Sequence, residues 1–242
     1  MGNRAKRRSK ARRRHGPVRR ALFFLAKLVL AFVLVSVVWV GVYRFVPPPI
    51  TATMVGDMIS GRGVTKDWTA LSHIDPDMPR AAMAGEDTRF CQHDGFDYEA
   101  IRKAFERNEK AGRVVRGGST ISQQTAKNAF LWQGGGYFRK GLEAWFTFLI
   151  ETLWTKQRIM TVYLNVAETG IGTYGVEAGA QRYFGHGAGT LSRREAAQIA
   201  AVLPLPKRRA GTAPTGFTRR YGNTIQRRMG VIRRGGLDSC LR

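Results

Sequence analysis

The run ALFFLAKLVLAFVLVSVVWVGVYRFV, residues 21–46, constrains this chain more than any other stretch. Its only charges are Lys27 toward one end and Arg44 toward the other. A bilayer's hydrocarbon core takes about 20 apolar residues as a helix, so the run predicts one membrane-spanning helix. Lys27 is near enough to an edge to snorkel, and Trp39 and Tyr43 fall where an interfacial aromatic belt is expected. Pro47, Pro48 and Pro49 then end the helix. A cleaved signal peptide is the competing reading, weakened by the length of the run and by the lack of a small-x-small pattern after it.

Charge fixes the orientation. Ten of the 40 Lys and Arg lie in residues 1–20, which hold no acid, so +13 of the formal +23 remains on the rest of the chain. Residues 1–20 are too polar to fold alone and read as a disordered basic tail. The positive-inside rule keeps that tail in the cytoplasm and places residues 47–242 outside it. The expected organisation is therefore a tail at 1–20, a span at 21–46, a stalk at 47–69 and an exported, periplasmic domain at 70–242. An inner-membrane protein of this topology has little occasion to meet nucleic acid, and the tail is explained by orientation and inner-leaflet contact. Cys91 and Cys240 stand far apart in sequence. An exported compartment permits a disulfide, but the spacing gives no framework, and two free thiols are an equal reading.

Beyond residue 70 the periodicity is helical and few strands are predicted, so the domain reads as mainly α. Helices are expected from near Pro79 to Arg89 and from Tyr98 to Gly112, the latter with Ile101, Ala104 and Phe105 inward. Another follows the Gly117-Gly118 turn, with Ser119 or Thr120 as its N-cap. After the loop QGGGYF, a longer helix carries Leu142, Trp145, Phe146, Leu149 and Leu153 as its buried stripe. Helices are also expected over RIMTVYLNVAETG, YGVEAGAQRYFG, SRREAAQIAAVL and Asn223–Arg233.

Three groups have the makings of a site. Thr120, Gln124 and Lys127 fall at i, i+4 and i+7, so a hydroxyl, an amide and an ammonium share a helix face at a glycine-flanked N-terminus. That pattern fits an anion site, and equally a capped, solvent-facing helix start. Arg139, Lys140 and Glu143 set one carboxylate beside two cations, either an exposed ion pair or a cluster that neutralises phosphate. Glu86 follows Ala81, Ala82, Met83 and Ala84 on a helix of small apolar residues, which would desolvate it and raise its pKa toward general-base use. His93 has no second ligand at metal spacing and reads as a structural hydrogen-bonding group.

The segments EDTRFCQHDG, RGGSTISQQTAKN, RKGLEA, KQRIMTVYLN and YGVEAGAQRYFG stand in the order of the five motifs of the peptidoglycan glycosyltransferases. The chain resembles that family, the polymerase domain of class A penicillin-binding proteins, in its monofunctional form with one span and no transpeptidase domain. The resemblance covers roughly residues 70–210. It implies a mainly helical, lysozyme-like fold and the polymerisation of lipid II at the outer face of the cytoplasmic membrane. Glu86 then corresponds to the general base that deprotonates the acceptor GlcNAc 4-hydroxyl as it attacks C1 of the donor MurNAc, with inversion. Glu143 corresponds to a second carboxylate near the departing undecaprenyl pyrophosphate. Lys127 and Arg139, and less directly Lys140, correspond to the groups that neutralise it. Asp87, Phe90, His93, Thr120, Gln124 and Asn128 fall on positions that shape or line the cleft.

Some family members use a divalent cation such as Mg²⁺ at the pyrophosphate. The implied partners are lipid II, the growing strand, membrane lipids and other cell-wall synthesis or division proteins, with no nucleic acid. AFLWQGGGYF reads either as a bilayer-dipping loop or as a mobile loop whose aromatics pack on the body. His186 and Gly179 depart from the family's usual basic residue and alanine, which puts local helix stability in doubt. A lysozyme-like glycan-cleaving enzyme and an inactive cell-wall scaffold are the alternatives.

Overall fold

The computed structural model describes residues 16–112 and 117–242. The expected tail lies outside the described residues as far as residue 15, as does Arg116. The described residues divide at Val40 into two units, one ending at Trp39 and one from Val40 onward.

Helix α1 runs Pro17–Phe45, four residues earlier than expected at its start. Proline suits a first helical position, where its missing N–H is no loss. Leu22, Phe23, Phe24, Leu25, Leu28 and other large apolar side chains of α1 are exposed, and Val18–Phe45 is long and apolar enough to cross a membrane. The compact body begins within the last turns of this helix, at Val40. Trp154 Nε1 donates to the Val40 carbonyl at 2.9 Å, and the Arg158 guanidinium donates to the carbonyls of Tyr43 at 2.6 Å and Val46 at 2.8 Å. The Tyr43 carbonyl lies in the last turn of the helix, where it would otherwise lack a partner. Tyr43, expected in an interfacial belt, stacks on Phe130 at 5.5 Å between ring centroids.

The stretch expected as a stalk is folded into the body. Thr51 caps helix α2, Ala52–Ile59, whose Met54 and Asp57 are buried. Strand β1, Thr65–Lys66, pairs in parallel with β3, Thr173–Tyr174, which pairs antiparallel with β2, Glu168–Gly170. Asp57 is the anchor. It accepts hydrogen bonds from Lys207 Nζ, Arg62 and the Tyr174 hydroxyl, each at 2.7 Å, and so ties α2 to the sheet and to the loop around residue 207. Burial works against its charge, but Lys207, Tyr174 and Arg62 outweigh that and hold its carboxyl at about 2.

The rest is helical: α3 Asp77–Glu86, α4 Tyr98–Ala111, α5 Ile121–Phe130, α6 Gly136–Leu153, α7 Lys156–Val166, α8 Val176–Phe184, α9 Arg193–Val202 and α10 Gly216–Arg234. Helix α5 packs on α6 and α7, while α3, α9 and α10 pack on one another. The second group is built from small residues. Ala81, Ala82 and Ala84 of α3 and Ala196, Ala197, Ala200 and Ala201 of α9 are buried and let the helices approach closely. Phe130, Phe146 and Trp154 form the aromatic part of the core, with Phe130 and Phe146 stacked at 4.8 Å.

Several local expectations shift. Helix α3 begins at Asp77 and stops at Glu86, and α10 starts at Gly216 rather than Asn223. On α4 only Ala104 is buried; Phe105 is 69% exposed, because this helix touches the body along a narrow line where Gly118 approaches Ala104. The buried face of α6 is Glu143, Phe146, Thr147, Leu149 and Ile150, with Leu142, Trp145 and Leu153 half-buried. A carboxylate in the stripe rotated it from the purely apolar pattern. Tyr137 and Phe138 lie in the first turn of α6, and both are exposed along with Trp132, whereas Phe130 belongs to the core.

Gly179 is required where it stands: a Cβ there would meet the Thr169 hydroxyl at 2.8 Å. The glycine therefore fits the close approach of α8 to β2. His186 has Glu195 at 3.3 Å from its Nε2.

Cys91 and Cys240 form a disulfide with 5.5 Å between Cα atoms, closing a loop of 149 residues in sequence separation. It fastens the C-terminus to the segment just after α3. Long loops gain most from such a link, so Cys91→Ser with Cys240→Ser is expected to cost roughly 2–5 kcal/mol. Thermal unfolding in detergent should show that loss, and a dithiol reductant should lower the midpoint of the wild type alone.

The Asp57 network predicts a pH signature. Its folded pKa is depressed from 3.8, so its stabilisation is full above that value and is lost as pH falls through about 2. The wild type minus Asp57→Asn difference in unfolding midpoint should be constant near neutrality and shrink below about pH 4.

Candidate active site

The site grows from the end of α3. Its small residues seat the helix deep against α9 and α10 and deliver Glu86 in its last turn. Burial raises the Glu86 pKa, with Asp87 adding to the rise and Gln124, Arg209 and Lys127 opposing it. Gln124 Nε2 donates to Glu86 Oε2 at 2.8 Å and fixes the carboxylate's orientation. The Tyr221 hydroxyl donates to the Gly85 carbonyl at 2.7 Å and holds the helix end from the α10 side.

Asp87, the next residue, is buried and works differently. Its Oδ2 accepts the Ile121 N–H, at the N-terminus of α5, at 3.0 Å. His93 Nε2 lies 3.0 Å from both Asp87 oxygens, while His93 Nδ1 accepts the Gly95 N–H at 3.1 Å. That second bond puts the ring proton on Nε2, which donates to Asp87. Gly95 has φ +91, and a Cβ there would strike Thr147 at 2.7 Å, so only glycine fits.

Thr120 is the N-cap. Its hydroxyl accepts from Gln123 N–H at 3.1 Å and donates to the Gly95 carbonyl at 2.7 Å. The face expected from Thr120, Gln124 and Lys127 is therefore corrected: Thr120 is turned inward and spent on the backbone, and the half-exposed face is Gln124, Lys127 and Asn128. Phe90 is wholly buried, with Lys156 Nζ 4.7 Å from its ring centroid. Phe90 and His93 thus shape the cleft from behind.

On α6, Glu143 is 3% exposed, so the cluster is not a surface ion pair. One oxygen takes Arg139 at 2.6 Å and the other takes Lys140 Nζ. Lys127 of α5 is mostly buried and feels Glu143, Arg139, Lys140 and Glu86. Its burial lowers its pKa, the two neighbouring cations lower it further, and the two carboxylates pull it back up. No hydrogen-bond or ion-pair partner holds Lys127 among the described residues. Its ammonium is thus desolvated with its hydrogen-bond donors unspent, and two carboxylates act on it only at a distance.

Two cavities share Gln124, Lys127, Leu203 and Pro204. One of about 390 Å³ adds Asn128, Tyr163, Glu168 and Lys207, and one of about 630 Å³ adds Glu86, Ser119 and Arg209. The α5 face is thus a divider between two compartments, with Glu86 opening onto the larger.

Residues outside the expected set support the frame. Lys156 Nζ donates to Glu151 at 2.8 Å and to the His93 carbonyl at 2.6 Å, and Ser122 donates to the same Glu151 oxygen. This chain of contacts joins α5, α6, α7 and the His93 loop. Its spacing matches no helical period, so only its charge types were legible. The Tyr163 hydroxyl is fully buried, lacks a partner and borders the smaller cavity.

The donor set does not suit a protein-held divalent cation. Both Glu143 oxygens are taken by cations, and no group of three His, Cys, Asp or Glu side chains converges among the described residues.

The sequence profile of the transglycosylase family matches residues 53–232. A biosynthetic peptidoglycan transglycosylase of Caulobacter vibrioides is 51% identical over 217 residues, covering 90% of this chain and 94% of its own length. Relatives of the same name from Rhodospirillum centenum and Pseudomonas aeruginosa are each 47% identical and cover 93% and 90% of this chain. The chain belongs to the transglycosylase family. It is a glycosyltransferase, and the family match begins inside α2, where the folded body has already started.

Burial raises the Glu86 pKa, so an activity that requires this carboxylate ionised is expected to show its kcat/KM acid limb above the ordinary 4.5 of Glu. Gln124 lowers the Glu86 pKa, so Gln124→Leu should move that limb to still higher pH and reduce kcat. A pH–rate profile of both proteins checks the direction of the shift.

Proposed function

We propose that this peptidoglycan glycosyltransferase polymerises lipid II into glycan strands at the outer face of the cytoplasmic membrane. The observation that carries the reading is the meeting of Glu86 and Lys127 in one cavity. Glu86 has a raised pKa and a fixed orientation, and Lys127, with no hydrogen-bond or ion-pair partner among the described residues, feels Arg139, Lys140 and Glu143 of α6 behind it.

Glu86 removes the proton from the acceptor GlcNAc 4-hydroxyl as that oxygen bonds to C1 of the donor MurNAc. The bond from C1 to the pyrophosphate oxygen breaks on the opposite face, so the configuration inverts. Undecaprenyl pyrophosphate leaves with the electron pair, and the proton remains on Glu86 until solvent takes it. Pyrophosphate needs its charge balanced more than it needs a proton, which is the work of Lys127 and Arg139. Glu143 keeps Arg139 and Lys140 aimed at the cleft. Asp87, His93 and Thr120 hold the frame, and Gln124 positions the base.

The basic residues before the span and the apolar α1 support a single-pass anchor with the tail in the cytoplasm and the body in the periplasm. A substrate bearing a long lipid is met by an enzyme held in the same bilayer. Exposed Trp132, Tyr137 and Phe138 supply an apolar surface suited to lying at a membrane interface.

The test is a polymerisation assay on lipid II in detergent or liposomes, with wild type beside Glu86→Gln. Glycan polymer from the wild type and a loss of roughly 10²- to 10⁴-fold in the variant, with the fold intact by circular dichroism, is expected. Shortening of preformed glycan instead would make Glu86 the acid of a glycan-cleaving enzyme. No turnover of either substrate, where a known polymerase works, would sink both readings.

A further inference from the structure

The body's positive charge is concentrated in one place. Residues 47–191 hold sixteen Lys and Arg against fifteen Asp and Glu, whereas residues 192–242 hold twelve against two. Both of those acids are engaged, Glu195 beside His186 and Asp238 with Arg80 and Arg242. Part of this excess faces the catalytic cleft. The cavity of about 630 Å³ that contains Glu86 is walled by Arg107 of α4, Arg209 of the loop before α10, and Arg228 of α10, with Phe217 and Tyr221 beside them. Arg209 is fixed: it lies 4.9 Å from the Phe217 ring centroid and 5.7 Å from that of Tyr221, and donates to the Ala201 carbonyl at 2.7 Å. Arg107 and Arg228 are exposed and have no carboxylate partner among the described residues.

On the reading given above, the cavity on the Glu86 side receives the acceptor. Its sugars are neutral, and two anionic parts remain, a compact pyrophosphate and the acidic peptide stem on the MurNAc lactyl group. The three guanidiniums come from three separate segments, and Lys127, which also lines this cavity, stands apart from them on α5. Such a spread suits carboxylates set along an extended peptide, each taken by a planar fork, better than one compact diphosphate. We infer that Arg107, Arg209 and Arg228 form a subsite for the acidic peptide stem of the incoming acceptor, and that they set a preference for stems with free carboxylates. This inference rests on the lipid II reading of the same cleft.

The test compares lipid II bearing free carboxylates with lipid II whose stem carboxylates are amidated, using the full chain in neutral detergent. Wild type should favour the free-acid substrate by roughly three- to tenfold in kcat/KM, as expected for two or three solvent-accessible charge pairs. Arg107→Gln with Arg228→Gln should bring that ratio near one, and the corresponding double lysine variant should keep only part of it, since lysine supplies the charge without the planar fork. Both side chains are exposed, and an unchanged unfolding midpoint checks that the fold is intact. Equal use of the two substrates by wild type would overturn the subsite while leaving polymerisation standing. So would a variant that loses activity equally on both, which assigns the arginines to pyrophosphate. A variant whose only defect is weaker binding to anionic vesicles assigns them to lipid, and also overturns the subsite. If wild type makes no polymer from either substrate, the lipid II reading itself falls, and the subsite with it.

Discussion

The Asp87 carboxylate is the constraint on which the rest of the cleft depends. It is buried at the end of α3, accepts the first N–H of α5 and holds the His93 ring. A helix N-terminus carries orphan donors and partial positive charge, so a buried carboxylate there satisfies both partners at once. Because Glu86 precedes Asp87 and Gln124 follows Ile121 by less than one turn, this clamp also fixes the distance between base and amide. The His93 ring carries the constraint onward through Gly95 to the Thr120 cap, and its backbone carbonyl reaches Lys156. A buried acceptor stripped of its donors costs about 1–3 kcal/mol, so these contacts stand or fall together.

Once that frame is set, the electrostatics follow from burial. Glu86 and Lys127 are both pulled toward neutrality by desolvation, each partly restored by the other's charge. Glu143 differs, since Arg139 and Lys140 satisfy both of its oxygens. The cleft therefore has one carboxylate kept basic and one committed to aligning cations. Assigning the first to proton removal and the second to the leaving group needs no further distinction between two residues of the same type.

Legibility in the sequence tracked the range of the contact. Glu86 could be read because the small residues that desolvate it lie on its own helix, and the Arg139, Lys140 and Glu143 cluster because its spacing is one turn. Thr120 was half-read: its cap role is local, but the hydroxyl's inward turn depends on Gly95, in another loop. Asp57 with Lys207, and Cys91 with Cys240, are separated by 150 and 149 residues, and nothing periodic announces such pairs. The stalk was misread for the same reason. Proline and β-branched residues at 47–53 predict an extended chain, yet Lys207 and Tyr174 reach Asp57 from elsewhere and, with Arg62 of the segment itself, fold it in. Phe105 failed in the other direction, since amphipathic spacing shows which face is apolar but not how wide a contact the body offers.

The two long-range ties also bear on how the cleft keeps its shape. Lys207 lines the smaller cavity while bonding Asp57, so a wall of the site is pinned by the segment that follows α1. Cys91 stands beside Phe90, which backs the Asp87 and His93 clamp, and its partner is in the last turn of the chain. Helix α10, between the site and that last turn, contributes Tyr221 to the Gly85 carbonyl and Arg228 to the larger cavity. The C-terminal segment is thus fastened at its far end by the disulfide and at its near face by Tyr221. On the proposed reading, an acceptor that threads its reactive hydroxyl to Glu86 while its charged stem trails past α10 meets a wall held at both ends. Such rigidity is what the proposed stem preference at a solvent-facing arginine such as Arg228 requires, because a wall free to swing would give up in ordering entropy most of what a single exposed charge pair supplies.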